Sequence, residues 1–166
     1  MLLAFDTYYT GHTAKTVCIA FKGWQDNEPA HVYTEDRDGI EDYVSGEFYR
    51  RELPCLLSLL EKIPQEDIDA ILVDGYVYLD DAGSFGLGGR LYQALGGRIP
   101  VIGIAKTNFV RITTAKRALI RGNSQKPLYI TAIGVEVDQA AEWVSSMDGP
   151  YRMPTLLKYV DTLTRA

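Results

Sequence analysis

Only two cysteines occur among the 166 residues, Cys18 and Cys55. Both sit among apolar neighbours and share no C-x-x-C spacing. Neither a zinc knuckle nor a disulfide framework is suggested, and two buried thiols in a reducing compartment are expected. Long hydrophobic runs are missing too, since none approaches the ~18 residues of a membrane span. The opening Met1-Leu2-Leu3-Ala4-Phe5 meets Asp6 too early for a secretory hydrophobic segment, so the expected location is cytoplasmic. Basic residues fall short of acidic ones: 17 Lys and Arg against 22 Asp and Glu leave a net charge of −5, which excludes a strongly basic nucleic-acid module. Glycine (15) and proline (7) are too few for a collagen-like or low-complexity chain. What remains, 46% hydrophobic and 23% charged, reads as one soluble domain over residues 1–166. That length buries roughly two-thirds of the surface an unfolded chain exposes, so no metal or disulfide staple is required for stability.

One stretch runs against the acidic trend. From Lys106 to Lys126 there are six cations (Lys106, Arg111, Lys116, Arg117, Arg121, Lys126) and no Asp or Glu. A phosphate-binding strip on an acidic body has this pattern. A hairpin with a solvated outer face has it as well, and charge alone favours the hairpin.

The first third alternates like strands. Leu2 to Thr7, Thr13 to Lys22 and Ala30 to Thr34 are β-branched or aromatic and separated by Gly11-His12 and by Gly23 to Pro29. Leu53, Leu56, Leu57, Leu60 and Ile63 then recur with helical spacing, and Pro54 suits the first turn of such a helix. Ala70 to Val73 and Pro100 to Ala105 are continuous apolar runs, as in strands covered on both faces. Between them, Gly83 to Gly89 leads into a helix with Leu87, Leu91 and Leu95. No Gly-Lys-Ser/Thr follows, so these glycines serve close helix packing and not phosphate binding. Arg117 to Ile120 and Pro127 to Ile133 can pair across Gly122-Asn123. Asp138 can cap a helix over Gln139 to Met147, and Leu156, Leu157, Val160 and Leu163 mark a last one. Three leading antiparallel strands followed by βαβ units give an α/β, ribonuclease H-like mixed sheet flanked by helices.

Chemistry enters through the carboxylates. Asp6 terminates the apolar Leu2 to Phe5, and Asp74 terminates Ala70 to Val73. Carboxylates avoid such places unless their charge is compensated. On neighbouring strands both would emerge at one sheet edge, where open sheets place their sites. A hard divalent cation such as Mg²⁺ is the natural compensator and can activate water against a phosphodiester. Strand-end acids satisfied by turn N–H groups are the plainer alternative. His12 and His31 have no partner at a useful spacing and read as surface residues.

Further motifs carry a resemblance. Tyr43-Val44-Ser45-Gly46, followed by Arg51-Glu52-Leu53-Pro54, resembles the Tyr-Ile-Pro-Gly … Arg-Glu … Pro stretch of the endonuclease V family. Val73-Asp74-Gly75 resembles its strand-end Asp-Gly, and Pro100 to Lys106 its Pro-x-Ile-Gly-Val-Ala-Lys. Lys126 to Gly134 is similar to its Lys-Pro-Leu-Tyr-Val-Ser-x-Gly strand. Tyr151-Arg152-Met153-Pro154 with Asp161 is similar to its closing Arg-Leu-Pro and helical acid. The motifs occur in family order over nearly the whole chain.

The resemblance implies Asp6, Glu52, Asp74 and Asp161 as metal-binding acids, with Mg²⁺ as cofactor and Mn²⁺ as a substitute. It implies Lys106 near the scissile phosphate. Tyr43 matches the wedge that opens a duplex, with Ser45 beside it, and Gly46 and Gly75 match positions lining the pocket for a flipped hypoxanthine. The implied partner is DNA or RNA containing inosine, nicked near the deaminated base to leave 3′-hydroxyl and 5′-phosphate ends. A weakly paired base costs only a few kcal/mol to extract.

The chain also departs from the pattern. Asp42-Tyr43-Val44-Ser45 lacks the two prolines of the wedge, and Tyr76 to Asp81 stands where the family has His-Pro-Arg. Fewer cations imply weaker binding of a polyanion. Two rivals follow: a non-catalytic binding or scaffold protein of the same fold, and a metal-dependent nuclease for another substrate.

Overall fold

The computed structural model describes residues 1–42 and 48–166. Its strands are β1 (Leu2–Thr10), β2 (Thr13–Phe21), β3 (His31–Arg37), β4 (Ala70–Asp74), β5 (Val101–Ala105), β6 (Arg117–Leu119) and β7 (Leu128–Ile133). The helices are α1 (Phe48–Leu60), α2 (Leu87–Ala94), α3 (Val137–Ser146) and α4 (Thr155–Thr164). Among the described residues the strands form one sheet in the order β3-β2-β1-β4-β5-β7-β6. The three leading strands pair antiparallel, β1, β4 and β5 run parallel, and β7 returns antiparallel with β6 at the edge. The mixed sheet expected from the strand pattern is therefore present. Among the described residues no helix is long and apolar enough to cross a membrane.

Side-chain alternation assigns each strand two faces. Leu2, Ala4, Leu72, Ile102 and Ile104 point to α3 and α4, where Val144, Leu156, Leu157 and Val160 cover them. Leu3, Phe5, Ile71, Val73 and Val101 point to α1 and α2 and meet Leu56, Leu59, Leu60, Leu87 and Leu91. The strand runs read from sequence as covered on both faces are covered so.

Four local expectations need correction. The first helix begins at Phe48, so Pro54 lies inside it and not in its first turn; its ring is exposed, on the side away from the sheet. Leu56, Leu60 and Ile63 are buried as expected, joined by Glu52, Cys55 and Leu59, while Leu53 and Leu57 are only partly buried. Asp138 does not cap α3, which starts at Val137; an Arg117 Nε to Asp138 Oδ1 ion pair at 2.6 Å draws its carboxylate to β6 instead. Asp6 does not end its strand either: β1 continues to Thr10 against β2 after β4 has stopped pairing with it.

Missing side chains let the chain fold tightly beside the site. A Cβ on Gly88 would stand 2.7 Å from Val77 Cγ2, and one on Gly89 2.7 Å from the Val77 carbonyl, so α2 packs where only glycine fits. On β5, a Cβ at Gly103 would stand 2.5 Å from the Gly75 carbonyl and 2.7 Å from Thr131 Oγ1. The chain leaving β4 crosses directly over β5 here. Thr131 Oγ1 accepts the Val77 N–H at 2.9 Å in a buried position, which fixes that crossing.

Candidate active site

Strand register brings the acids together. Ala4 pairs with Leu72, so two residues further along Asp6 comes alongside Asp74 on the same face. Asp74 pairs with Ile104, and two residues beyond Ile104 lies Lys106, again on that face. This is the face that α4 covers. Leu157, Val160 and Asp161 occupy one side of α4 at i, i+3 and i+4, so the helix seats its leucine and valine on the sheet and delivers its acid to the edge. Asp6, Asp74, Lys106 and Asp161 accordingly line one pocket, with Leu72, Ile104, Met153, Leu157 and Val160 as its apolar walls.

Crowded carboxyls shift one another. Burial raises Asp6, and the Asp74 charge and the hydrogen bond with Asp161 raise it further, to about 7. Asp161 moves the other way: burial opposes its ionisation, but hydrogen bonds from Asp6 and Arg165 and the nearby Lys106 and Arg165 charges outweigh it. Without a cation, then, Asp6 holds the proton and donates it to a charged Asp161. Asp74 stands at the exposed rim, where surrounding protein still displaces water and raises its pKa against the pull of Lys106.

Glu52 comes from the opposite side of the sheet. Its place on the buried stripe of α1 leaves it 4% exposed, with Oε1 accepting the Tyr9 hydroxyl at 3.4 Å. Burial, and then the Asp74 and Asp6 charges, hold it well above the usual carboxylate range. The structure thus brings Asp6, Asp74, Asp161 and Lys106 to one pocket and sets Glu52 within their field but behind them. Among the described residues, no three acid, histidine or cysteine side chains stand as a ready metal cluster. Mg²⁺ is ordinarily held by one or two carboxylates plus waters, and these are hard oxygen donors, with the raised pKa values of Asp6, Asp74 and Glu52 marking charge that the fold leaves uncompensated. The donor set fits such an ion.

Gly75 follows Asp74 with φ +128°, and its N–H is spent within the sheet on the Ile104 carbonyl at 3.0 Å. Tyr43, Ser45 and Gly46 lie outside the described residues. His12 and His31 are exposed, as expected of surface residues.

Two features near the site had no clear signal in the sequence. Asp80 and Asp81 are occupied by the fold. Asp80 accepts the Ser84 N–H at 3.1 Å, and Asp81 accepts the N–H groups of Thr113, Thr114 and Ala115 and the Thr113 hydroxyl. The cationic stretch is largely absorbed too. Lys116 binds Asn108 and the Phe109 carbonyl, Arg117 pairs with Asp138, and Arg121 is buried against backbone carbonyls. Lys106 alone of the six lines the pocket.

The same sheet occurs outside any one enzyme family. Argonaute from Marinitoga piezophila, in complex with guide RNA and target DNA, matches with a TM-score of 0.55 at 8% identity, over 99% of this chain and 29% of that one. Fold and site together define a ribonuclease H-like architecture with an acidic pocket at its strand ends. A family model for endonuclease V matches residues 1–162. Endonuclease V from Streptomyces avermitilis matches with a TM-score of 0.82 at 22% identity, covering 99% of this chain and 79% of that one. Ciona intestinalis endonuclease V, in complex with a 24mer DNA containing an inosine followed by a ribo-adenosine, also reaches 0.82, at 15% identity and with 99% and 84% covered. No curated protein sequence matches the chain. The chain belongs to the endonuclease V family of nucleases.

Proposed function

We propose that this protein is a Mg²⁺-dependent endonuclease that hydrolyses nucleic-acid strands near inosine, leaving 3′-hydroxyl and 5′-phosphate ends. The observation that carries this reading is the gathering of Asp6, Asp74, Asp161 and Lys106 on one pocket at the strand ends. Asp6 and Asp74 would hold the ion, with Asp161 and the more distant Glu52 completing its surroundings directly or through waters. When bound, Mg²⁺ supplies Lewis acidity toward the phosphoryl group and lowers the pKa of a water; Mn²⁺ can replace it.

The remaining work belongs to the side chains. Lys106 faces the phosphate and stabilises the charge that develops on its oxygens. Asp161 is the one pocket acid whose pKa is lowered, by hydrogen bonds from Asp6 and Arg165, so it stays charged and helps to balance the cation. The apolar walls of Leu72, Ile104 and Met153 keep competing water away. Tyr43 would wedge a strand open, and Ser45, Gly46 and Gly75 would line the space for the displaced base. We assign the activity to residues 1–166 as one domain. A cytoplasmic setting suits its two buried, unpaired thiols.

Purified protein with Mg²⁺ and an inosine-bearing strand, single- or double-stranded, DNA or RNA, tests the reading. The expected product is a discrete nick near the inosine that is absent from an adenosine control. Intact strands after prolonged incubation with excess enzyme would contradict it. The non-catalytic rival draws on the Asp6–Asp161 hydrogen bond and on Glu52 being tied to Tyr9. A folded protein that binds neither Mg²⁺ nor Mn²⁺ in a calorimetric titration would favour that rival.

A further inference from the structure

Arg121 is 6% exposed and spends its guanidinium on four backbone carbonyls. Nη1 donates to Tyr151 at 2.5 Å and Arg152 at 3.3 Å, and Nη2 to Met147 at 2.7 Å and Gly149 at 3.2 Å. A buried cation is costly, and one satisfied only by main-chain oxygens of a single loop holds that loop in one shape. The hairpin tip adds to the grip, because any side chain on Gly122 would collide with the Pro150 carbonyl. Arg152 then donates through Nη2 to the Lys106 carbonyl at 2.5 Å and the Pro127 carbonyl at 2.7 Å. The loop is thus fastened to the residue that lines the pocket with its ammonium.

This rigid loop carries a side chain that the fold does not use. Tyr151 is 75% exposed, and Ile120, on the hairpin arm that grips it, is 55% exposed. Lys126, next to the Pro127 that Arg152 holds, is also exposed. An exposed aromatic ring on a fixed backbone, tied through Arg152 to the pocket lysine, matches a nucleobase of a strand that leaves the pocket. We propose that Tyr151 is a stacking contact for an unpaired base of the bound strand outside the pocket, on a platform that Arg121 holds rigid. The proposal rests on the nucleic-acid substrate assigned above and concerns a surface separate from the acids.

Substituting Tyr151→Ala and Tyr151→Phe tests it in the full chain, through nicking of inosine-bearing DNA and RNA strands and through fluorescence anisotropy on an inosine-free single strand. Stacking worth about 1–3 kcal/mol per base corresponds to roughly 5- to 150-fold in affinity. Tyr151→Ala is expected to weaken strand binding and raise KM within that range, leaving kcat within about twofold and Tm unchanged, while Tyr151→Phe behaves as wild type. The proposal is overturned if Tyr151→Ala binds and nicks within twofold of wild type. It is equally overturned if Tyr151→Ala lowers Tm by several degrees, since the ring would then support the fold. If wild type nicks no strand, the anisotropy comparison still reads the stacking contact, which keeps the two failures apart.

Discussion

Replacing Asp6 by Asn is expected to abolish strand cleavage while leaving the metal-free protein at least as stable as wild type. The two effects share one cause. Asp6 is partly buried beside Asp74, and its carboxyl is pushed up to about 7 because its charge is desolvated and repelled there. Asn carries no charge to desolvate. It keeps the acceptor that the Thr7 N–H uses at 3.0 Å, and its amide can donate to Asp161 as the protonated acid does. Removing an anionic ligand, however, forfeits several kcal/mol of stabilisation of the cation and of the charge it balances, which is about 10³-fold or more in rate. The measurement is a nicking time course together with a thermal melt at pH 8 in chelator. A variant that melts well below wild type would show Asp6 to be a structural acid, and one that nicks at the wild-type rate would remove it from the catalytic set.

The second large effect is a crossing of stability with pH and metal. In the absence of cations, the folded protein binds a proton at Asp6 that the unfolded chain releases near its ordinary value of 3.8. Over that window the native state holds more protons, so stability falls as pH rises from about 4 to about 7. Glu52, also raised, adds in the same direction. Asp161 opposes, but its pKa is lowered, so its contribution is lost only below its ordinary value and outside this window. A divalent cation replaces the missing protons. Mg²⁺ should therefore raise Tm strongly at pH 8 and little at pH 5. At a hundredfold excess over Kd the gain is about 2.7 kcal/mol, or roughly 5–10 °C for a domain of this size. Thermal melts at both pH values with and without Mg²⁺ check this. An equal Mg²⁺ shift at the two pH values would mean that the ion binds elsewhere.

Much of this was legible in the sequence, and the parts that were not share a reason. β4 and β5 announce themselves as short apolar runs, because strands covered on both faces have no polar alternation. Asp6 and Asp74 stand out because each interrupts such a run. Their meeting at one edge follows from parallel pairing of β1 with β4, an expectation that the register makes concrete. The rotation of α1 was not legible. Leu53, Leu56, Leu57 and Leu60 fit two adjacent helical stripes, and only packing against the sheet selects the one that buries Glu52. Nor could composition show that Lys116, Arg117 and Arg121 are consumed by the fold. Arg121 finds its carbonyls 26–31 residues away, and Asp81 its amides 32–34 residues away. Local pattern carries no record of partners at that range. The same holds for Asp138, where an ion pair with Arg117 replaces the helix cap that its position suggests.

An acidic net charge of −5 is compatible with the proposed site. There, local positive charge at the reacting phosphate would come from Lys106, which lines the pocket, more than from a basic exterior. Asp80 and Asp81 lie near the expected strand path, yet their oxygens are turned onto backbone amides and the Thr113 hydroxyl. Bound in this way, they repel a polyanion less than two free carboxylates would.

Crystals of the protein soaked in Mn²⁺ and measured at the manganese absorption edge give the most direct test. An anomalous peak within coordination distance of both the Asp6 and the Asp74 carboxylates, lost in Asp6→Asn, is the predicted result. A peak anchored on neither residue, or none at millimolar Mn²⁺ and pH 8, would contradict the account.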